Sequence, residues 1–255
     1  MYNDTHSHLN SPALYQKLEE TIKEAKANNV GLFIVPGYDL ETSKIALKLA
    51  EKYDSIYAAI GFHPTEIKNY GDEEYKWLEE NITHKKVVAL GEIGFDFHWD
   101  TTTKDEQLIA FKKQVAIAKK ANKPLIIHSR DAIQLTYDML KETDAKVVGG
   151  VMHSYSGSLE MAPLFIKENF YLGIGGPVTF KNAKEIKKVV ENIDLKYLLS
   201  ETDSPYLTPH PYRGSENSPK YIPLIVEEIA LLKRLDIKVA EEELLINAKK
   251  LFRLE

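Results

Sequence analysis

The sequence predicts an α/β fold, specifically a (β/α)8 TIM barrel. Three observations lead there. Short apolar runs alternate with longer amphipathic stretches along the whole chain, eight such runs are present, and 255 residues is close to the usual ~250 for eight strand–helix units. Apolar runs without polar alternation suit strands buried on both faces, as in a parallel sheet. Strict strand–helix alternation restricts the architecture to a doubly wound sheet or a closed barrel. No Gly-rich G-x-G-x-x-G turn follows the first strand, which counts against a dinucleotide-binding open sheet.

The elements follow in order. The segment up to His6 supplies the first strand, the weakest by pattern. The next seven are residues 31–35, 57–61, 87–91, 124–127, 147–151, 171–175 and 197–200. After the fourth strand, Leu108, Phe111, Val115 and Ala118 share one helical face, and Thr103 with Glu106 just ahead of them forms a capping-box pattern. After the eighth strand, Ser218-Pro219 reads as an N-cap and first helical residue. Leu244, Leu245, Ala248, Leu251 and Phe252 then place a terminal helix at the end of the chain. No linker, low-complexity tract or short-period repeat divides residues 1–255, so one domain is expected.

Composition narrows the class. A net charge of −5 argues against broad electrostatic attraction to nucleic acid or an anionic membrane, although bound cations would not enter that sum. With no cysteine, disulfides, thiolate zinc sites and cysteine nucleophiles are excluded. No signal-peptide pattern opens the chain, and no apolar run approaches the roughly 20 residues of a membrane span. A cytoplasmic protein with no membrane contact and no obligate protein partner is the expectation.

The decisive pattern is where the polar residues fall. His6 and His8 follow the first strand, His63 the third, Glu92 the fourth, His128 the fifth, His153 the sixth and Asp203 the eighth. Barrel enzymes build their sites at the C-terminal ends of strands, so these seven face one mouth. His6-x-His8 places two imidazoles on the same side of an extended segment. An H-x-H alone is weak, but five further groups at equivalent strand ends make coincidence a poor account. By the same parity Asp4 points inward beneath His6, where it could orient an imidazole, and Glu201 stands in that relation to Asp203.

Each residue has a bland alternative. Glu92 could cap a helix, yet an unpaired carboxylate amid Ala89-Leu90-Gly91 and Ile93-Gly94 is costly, and metal coordination resolves that cost. His128 and His153 could be core histidines bonded to backbone; coordination is the stronger reading for both. Asp203 could be a structural turn residue, or a ligand that also accepts a proton from the attacking water. His63 either contacts substrate or braces its loop. His84, His98 and His210 lie outside the strand-end rule and belong to loops or the surface.

At these residues the chain resembles the TatD family of metal-dependent deoxyribonucleases, within the amidohydrolase-like barrels. The matching segments are Asp4-Thr5-His6-Ser7-His8-Leu9, Gly61-Phe62-His63-Pro64, Gly91-Glu92-Ile93-Gly94-Phe95-Asp96 and Ile127-His128-Ser129-Arg130-Asp131-Ala132. His153-Ser154-Tyr155-Ser156-Gly157, the run from Glu201 to Leu207, Arg213-Gly214 and the run from Asn247 to Phe252 continue it. The resemblance implies two divalent metal ions (zinc, manganese, magnesium, cobalt or nickel). His6, His8 and Asp203 would bind one, His128 and His153 the other, with Glu92 bridging. It also implies hydrolysis of DNA phosphodiesters, often from the 3′ end, on single strands or strand ends, with Asp203 and Glu92 as the catalytic carboxylates. Departures are mild: Phe97 stands where a tyrosine is common, which puts in doubt any role of a hydroxyl there, and Ser7 separates the two histidines. Neither removes a ligand.

Arg130 and Arg213 are candidate phosphate contacts because guanidinium binds phosphate bidentately; a surface ion pair is the alternative for each. Two rival functions stand beside the nuclease. One is a related amidohydrolase acting on an amide, lactone or phosphotriester; many of those bridge their metals with a carbamylated lysine at the fourth strand, where this chain has Glu92, with Lys85 and Lys86 ahead of the strand. The other is a non-catalytic metal-binding barrel, which predicts lost ligands, whereas all six positions here are chemically competent.

Overall fold

The computed structural model describes residues 1–255. Eight strands lie in one parallel sheet in sequence order: β1 Tyr2–Asp4, β2 Val30–Pro36, β3 Ile56–Ile60, β4 Val87–Asp96, β5 Leu125–Arg130, β6 Gly150–Met152, β7 Phe170–Ile174 and β8 Leu198–Ser200. Helices α1 Pro12–Tyr15 and α2 Leu18–Ala27 join β1 to β2, followed by α3 Leu40–Lys52 and α4 Asp72–Asn81. The later connections are α5 Lys104–Ala121, α6 Ile133–Glu142, α7 Ala162–Lys167 and α8 Lys184–Asn192, and α9 Ile222–Lys233 with α10 Ile237–Phe252 complete the chain. Closure comes from hydrogen bonds between the segments that continue the first and last strands: Thr5 N donates to Ser200 O (3.0 Å), Asp203 N to His6 O (2.8 Å) and His8 N to Ser204 O (2.9 Å). The architecture is the α/β barrel the sequence predicts. No helix is long and apolar enough to cross a membrane.

Burial follows from the closure. Inward residues such as Ile34, Ala59, Ala89, Ile126, Val151 and Leu199 fill the barrel interior, while a larger cluster packs the outer strand faces against the helices. α5 begins at the predicted capping box: Thr103 N donates to Glu106 Oε2 (2.6 Å) and Glu106 N to Thr103 Oγ1 (3.2 Å). Phe111, Val115 and Ala118 are buried on its inner face.

Several boundaries differ from the sequence expectation: β1 ends at Asp4 rather than His6, and β5 runs past Ile127 to Arg130. Residues 145–147 form a 3-10 turn, and β6 starts at Gly150. Val147 is 61% exposed, so the apolar run there spans two environments. Tyr197 likewise closes a 3-10 turn before β8. The segment 219–221 is also 3-10; Ser218 and Pro219 hold the expected N-cap and first positions, but the Ser218 side chain makes no capping hydrogen bond. β4 runs five residues beyond Gly91, because Ile93–Asp96 continue to pair with Ile127–Arg130 after a register shift. Gly94 makes that extension possible. Its φ is +149°, and a Cβ there would stand 1.9 Å from the His128 carbonyl oxygen, a conformation and an approach open to glycine alone.

Candidate metal centre

The strand ends bring the six expected ligands together around Glu92, which is buried. Its Oε2 lies 3.3 Å from His6 Nε2 and 3.8 Å from His8 Nε2; its Oε1 lies 2.9 Å from His128 Nδ1 and 4.0 Å from His153 Nε2. Asp203 Oδ1 faces the same space, 3.4 Å from His8 Nε2, 3.6 Å from His153 Nε2 and 3.8 Å from His6 Nε2. The His6 and His8 Nε2 atoms are 3.2 Å apart, as the alternate-residue spacing predicts. The His6 ring stacks on His153 at 3.4 Å between centroids.

His63 also belongs to this group. Its Nε2 is 3.9 Å from Glu92 Oε1, its ring meets His128 edge-on at 4.2 Å, and its Nδ1 is 2.7 Å from Thr65 Oγ1. Mutual ligand-atom distances collect His6, His8 and Asp203 in one trio and His63, Glu92 and His128 in another, while His6, His153 and Glu201 form a third. His153 thus borders both halves of the split that the resemblance implies: it lies beside His6 and Asp203, and its Nε2 also faces the Glu92 Oε1 that meets His128.

These donors fit divalent cations. Glu92 and Asp203 are paired only with imidazoles; no lysine or arginine forms an ion pair with either. Buried carboxylates at this density need positive charge nearby. The Nδ1 atoms of His6 and His8 are buried without partners while their Nε2 atoms face each other, so the pair gains little from bonding within the protein. Imidazole nitrogens mixed with carboxylate oxygens suit zinc, manganese, cobalt or nickel better than an all-oxygen site would.

The electrostatics agree. Burial alone would raise the Glu92 carboxyl, but His6, His128 and His153 pull it well below the usual range. For Asp203, burial is likewise outweighed, chiefly by His153 and His8, and its carboxyl is also lowered. His153 is raised well above its ordinary value because Glu201 and Asp203 overcome its burial, and His128 is raised because Asp96 and Glu92 do the same. Burial and the neighbouring His128 push His63 down to about 3. Ligation requires neutral imidazole, while the carboxylates beside His128 and His153 shift both towards the protonated form before an ion arrives. Loading a divalent ion at pH 7 is therefore expected to release protons, with apparent affinity falling as pH drops. Calorimetric titrations in two buffers of unlike ionisation enthalpy check this; identical heats would contradict it.

Several supporting residues were not assigned a role from the sequence. Asp96 Oδ2 lies 2.9 Å from His128 Nε2. It is lowered to about 2, His128 outweighing its partial burial. Gln107 clasps the Asp96 backbone, accepting from its N (3.0 Å) and donating to its O (2.8 Å). Gln114, two turns along α5, does the same for Phe62, next to His63. Two amides on the otherwise apolar buried face of α5 were the available signal. Asn217 donates to Thr202 O (2.8 Å) and Tyr206 O (2.5 Å), tying down the segment that carries Asp203.

Two parity expectations are corrected. Asp4 contacts no imidazole: its Oδ1 accepts from His6 N (3.2 Å) and Thr202 N (2.9 Å), and its Oδ2 from Thr202 Oγ1 (2.6 Å). Burial raises it to about 7 despite these bonds from Thr202 and His6. Glu201 pairs with His153, Oε1 to Nδ1 at 2.9 Å, rather than supporting Asp203. β8 ends at Ser200 and Asp203 has φ +56°, so strand alternation no longer applies there. Arg130 and Arg213 are exposed and rest on aromatic faces, 5.8 Å from Trp99 and 4.3 Å from Phe180. His84 and His98 sit at the surface beside Glu51 and Asp131.

Comparison with known proteins agrees with this arrangement. Residues 3–253 match the family model described as TatD related DNase. An uncharacterized metal-dependent hydrolase of Bacillus subtilis, YabD, is 48% identical over 254 residues, covering 100% of both chains. The crystal structure of YjjV, a TatD homolog from Escherichia coli, superposes with a TM-score of 0.94 at 31% identity, covering 100% of this chain and 98% of that one. A phosphotriesterase homology protein from Escherichia coli shares the fold alone, at 12% identity and a TM-score of 0.67 over 95% of this chain and 96% of its own. With the family model spanning almost its full length, the chain belongs to the TatD-related family of metal-dependent hydrolases.

Proposed function

We propose that the chain hydrolyses DNA phosphodiesters, acting on single strands or strand ends in the 3′→5′ direction, with two divalent ions. The observation that carries the reading is Glu92, a buried carboxylate with imidazoles on both of its oxygens at the mouth of a barrel of the DNase family. His6, His8 and Asp203 would hold one ion, His128 and His153 the other, with Glu92 between them and His63 alongside. When bound, such ions supply Lewis-acid polarisation of the phosphoryl group and a nucleophile at neutral pH.

The protein's own groups complete the chemistry. Asp203, its carboxyl lowered by His153 and His8, is ionised at neutral pH and available to orient the attacking water and take its proton. Glu92 keeps the two halves of the donor set at short separation. Glu201 and Asp96 fix the ring orientations of His153 and His128. Arg130 and Arg213, at the same end of the barrel, are free to bind phosphates flanking the scissile one.

The lysine-bridged amidohydrolase reading loses support. Lys86 Nζ donates to Tyr53 O, Asp54 O and Ile56 O, ahead of the β3 and β4 strands, and only histidines pair with Glu92. The test is a divalent-metal screen on labelled single-stranded, duplex and abasic DNA, with a lactone, a dipeptide and a phosphotriester alongside. Ion-dependent cleavage of DNA from the 3′ end is expected. Turnover of the lactone, dipeptide or phosphotriester with intact DNA would replace this reading with the amidohydrolase one.

A further inference from the structure

A pocket of about 330 Å3 opens between the segments that follow β7 and β8, lined by Phe180, Lys181, Asn182, His210 and Arg213. We propose that it binds a phosphate group of the substrate strand, next to the phosphate held at the metal centre; this rests on the nuclease reading above. Loops after the seventh and eighth strands are a frequent phosphate-binding position in barrels of this type. His210 had no role from its place in the sequence, and the pocket supplies one.

Charge is the first argument. The chain carries a net −5, yet no carboxylate lines this pocket, while a lysine, an arginine and an imidazole do. Segregating cations against the overall sign focuses attraction for an anion at one place. Arg213 lies over the Phe180 ring at 4.3 Å. A ring neighbour of this kind accepts no hydrogen bond in the guanidinium plane, so the Arg213 N–H groups stay available for two parallel bonds to phosphate oxygens.

Preorganisation is the second. The two segments are stitched together: His210 N donates to Thr179 Oγ1 (2.8 Å), and Thr179 Oγ1 donates to Gly176 O (2.8 Å). Gly176 packs so closely that a Cβ on it would stand 1.9 Å from Leu207 O. The segment that carries His210 and Arg213 is the one that carries Asp203, and Asn217 braces it. The pocket and the metal centre are thus built on one stretch of backbone, which keeps their separation constant and reduces the ordering cost of binding.

The test titrates metal-loaded protein with thymidine 3′-monophosphate, thymidine 5′-monophosphate and thymidine 3′,5′-bisphosphate in a calorimeter. The bisphosphate is expected to bind roughly tenfold more tightly than either monophosphate, the effect of one charge-assisted hydrogen-bonded contact. Lys181→Ala and Arg213→Gln, both at exposed positions, should each remove most of that gain. Equal affinities in the wild type, or a gain retained in both variants, overturns the proposal. So does inorganic phosphate that binds in the presence of saturating monophosphate as tightly as the bisphosphate does, since the pocket would then serve free phosphate. DNA hydrolysis is assayed in parallel: cleavage without a bisphosphate gain removes the pocket alone, and a gain without cleavage removes the nuclease reading alone.

Discussion

Replacing Glu92 with glutamine is expected to lower metal-dependent hydrolysis by at least about a thousandfold, because several kcal/mol of transition-state stabilisation depend on correctly held ions. The substitution keeps size and shape while removing the one carboxylate that lies within 4.0 Å of all five histidines of the site: Oε2 faces His6 and His8, Oε1 faces His128, His63 and His153. A carboxamide offers one weak oxygen donor where the carboxylate offers two. Losses should therefore appear as weaker ion binding together with lower kcat, with the circular dichroism spectrum unchanged. Turnover within tenfold of the wild type at saturating ion would remove Glu92 from the mechanism.

Asp4→Ala is expected to have the largest effect on stability, about 3–5 kcal/mol, because it leaves two buried backbone N–H groups and one hydroxyl without their acceptor. The N–H groups of His6 and Thr202 and the Thr202 hydroxyl all converge on this carboxylate, and through them Asp4 ties the β1 end, with its two histidines, to the segment leading to Asp203. Asp4→Asn should recover most of the loss, since its carboxamide oxygen can still accept both N–H groups. Urea denaturation of the two variants separates the roles. If alanine costs less than 1 kcal/mol, the contacts at Asp4 do not hold the site together.

The eight strands were legible because a parallel barrel buries its strands on both faces, and runs such as 31–35 and 171–175 carry that requirement in their composition. Val147 misled for the converse reason: it is apolar but exposed, in a turn. The candidate ligands were legible because each sits within or just beyond the C-terminal half of a strand, and His6 and His8 follow the expected alternation. Alternation failed for Glu201 because the chain, instead of continuing straight, turns left-handed two residues later at Asp203. Asp96, Gln107 and Gln114 act through contacts between β4, α5 and the segment after β3, and no local spacing encodes those meetings. His63 stood between substrate contact and loop bracing in the sequence; one ring nitrogen reaches Thr65 in its own loop, and the other faces Glu92.

The central claim is that these side chains form one divalent-metal centre organised by Glu92. Equilibrium dialysis of the wild type and Glu92→Gln against zinc or manganese, with metal content read by mass spectrometry, tests it most directly. The proposed two-ion function predicts two ions per wild-type chain and fewer than one tightly held ion in the variant. A wild type that retains no ion, or a variant that binds both ions as tightly as the wild type, would contradict it.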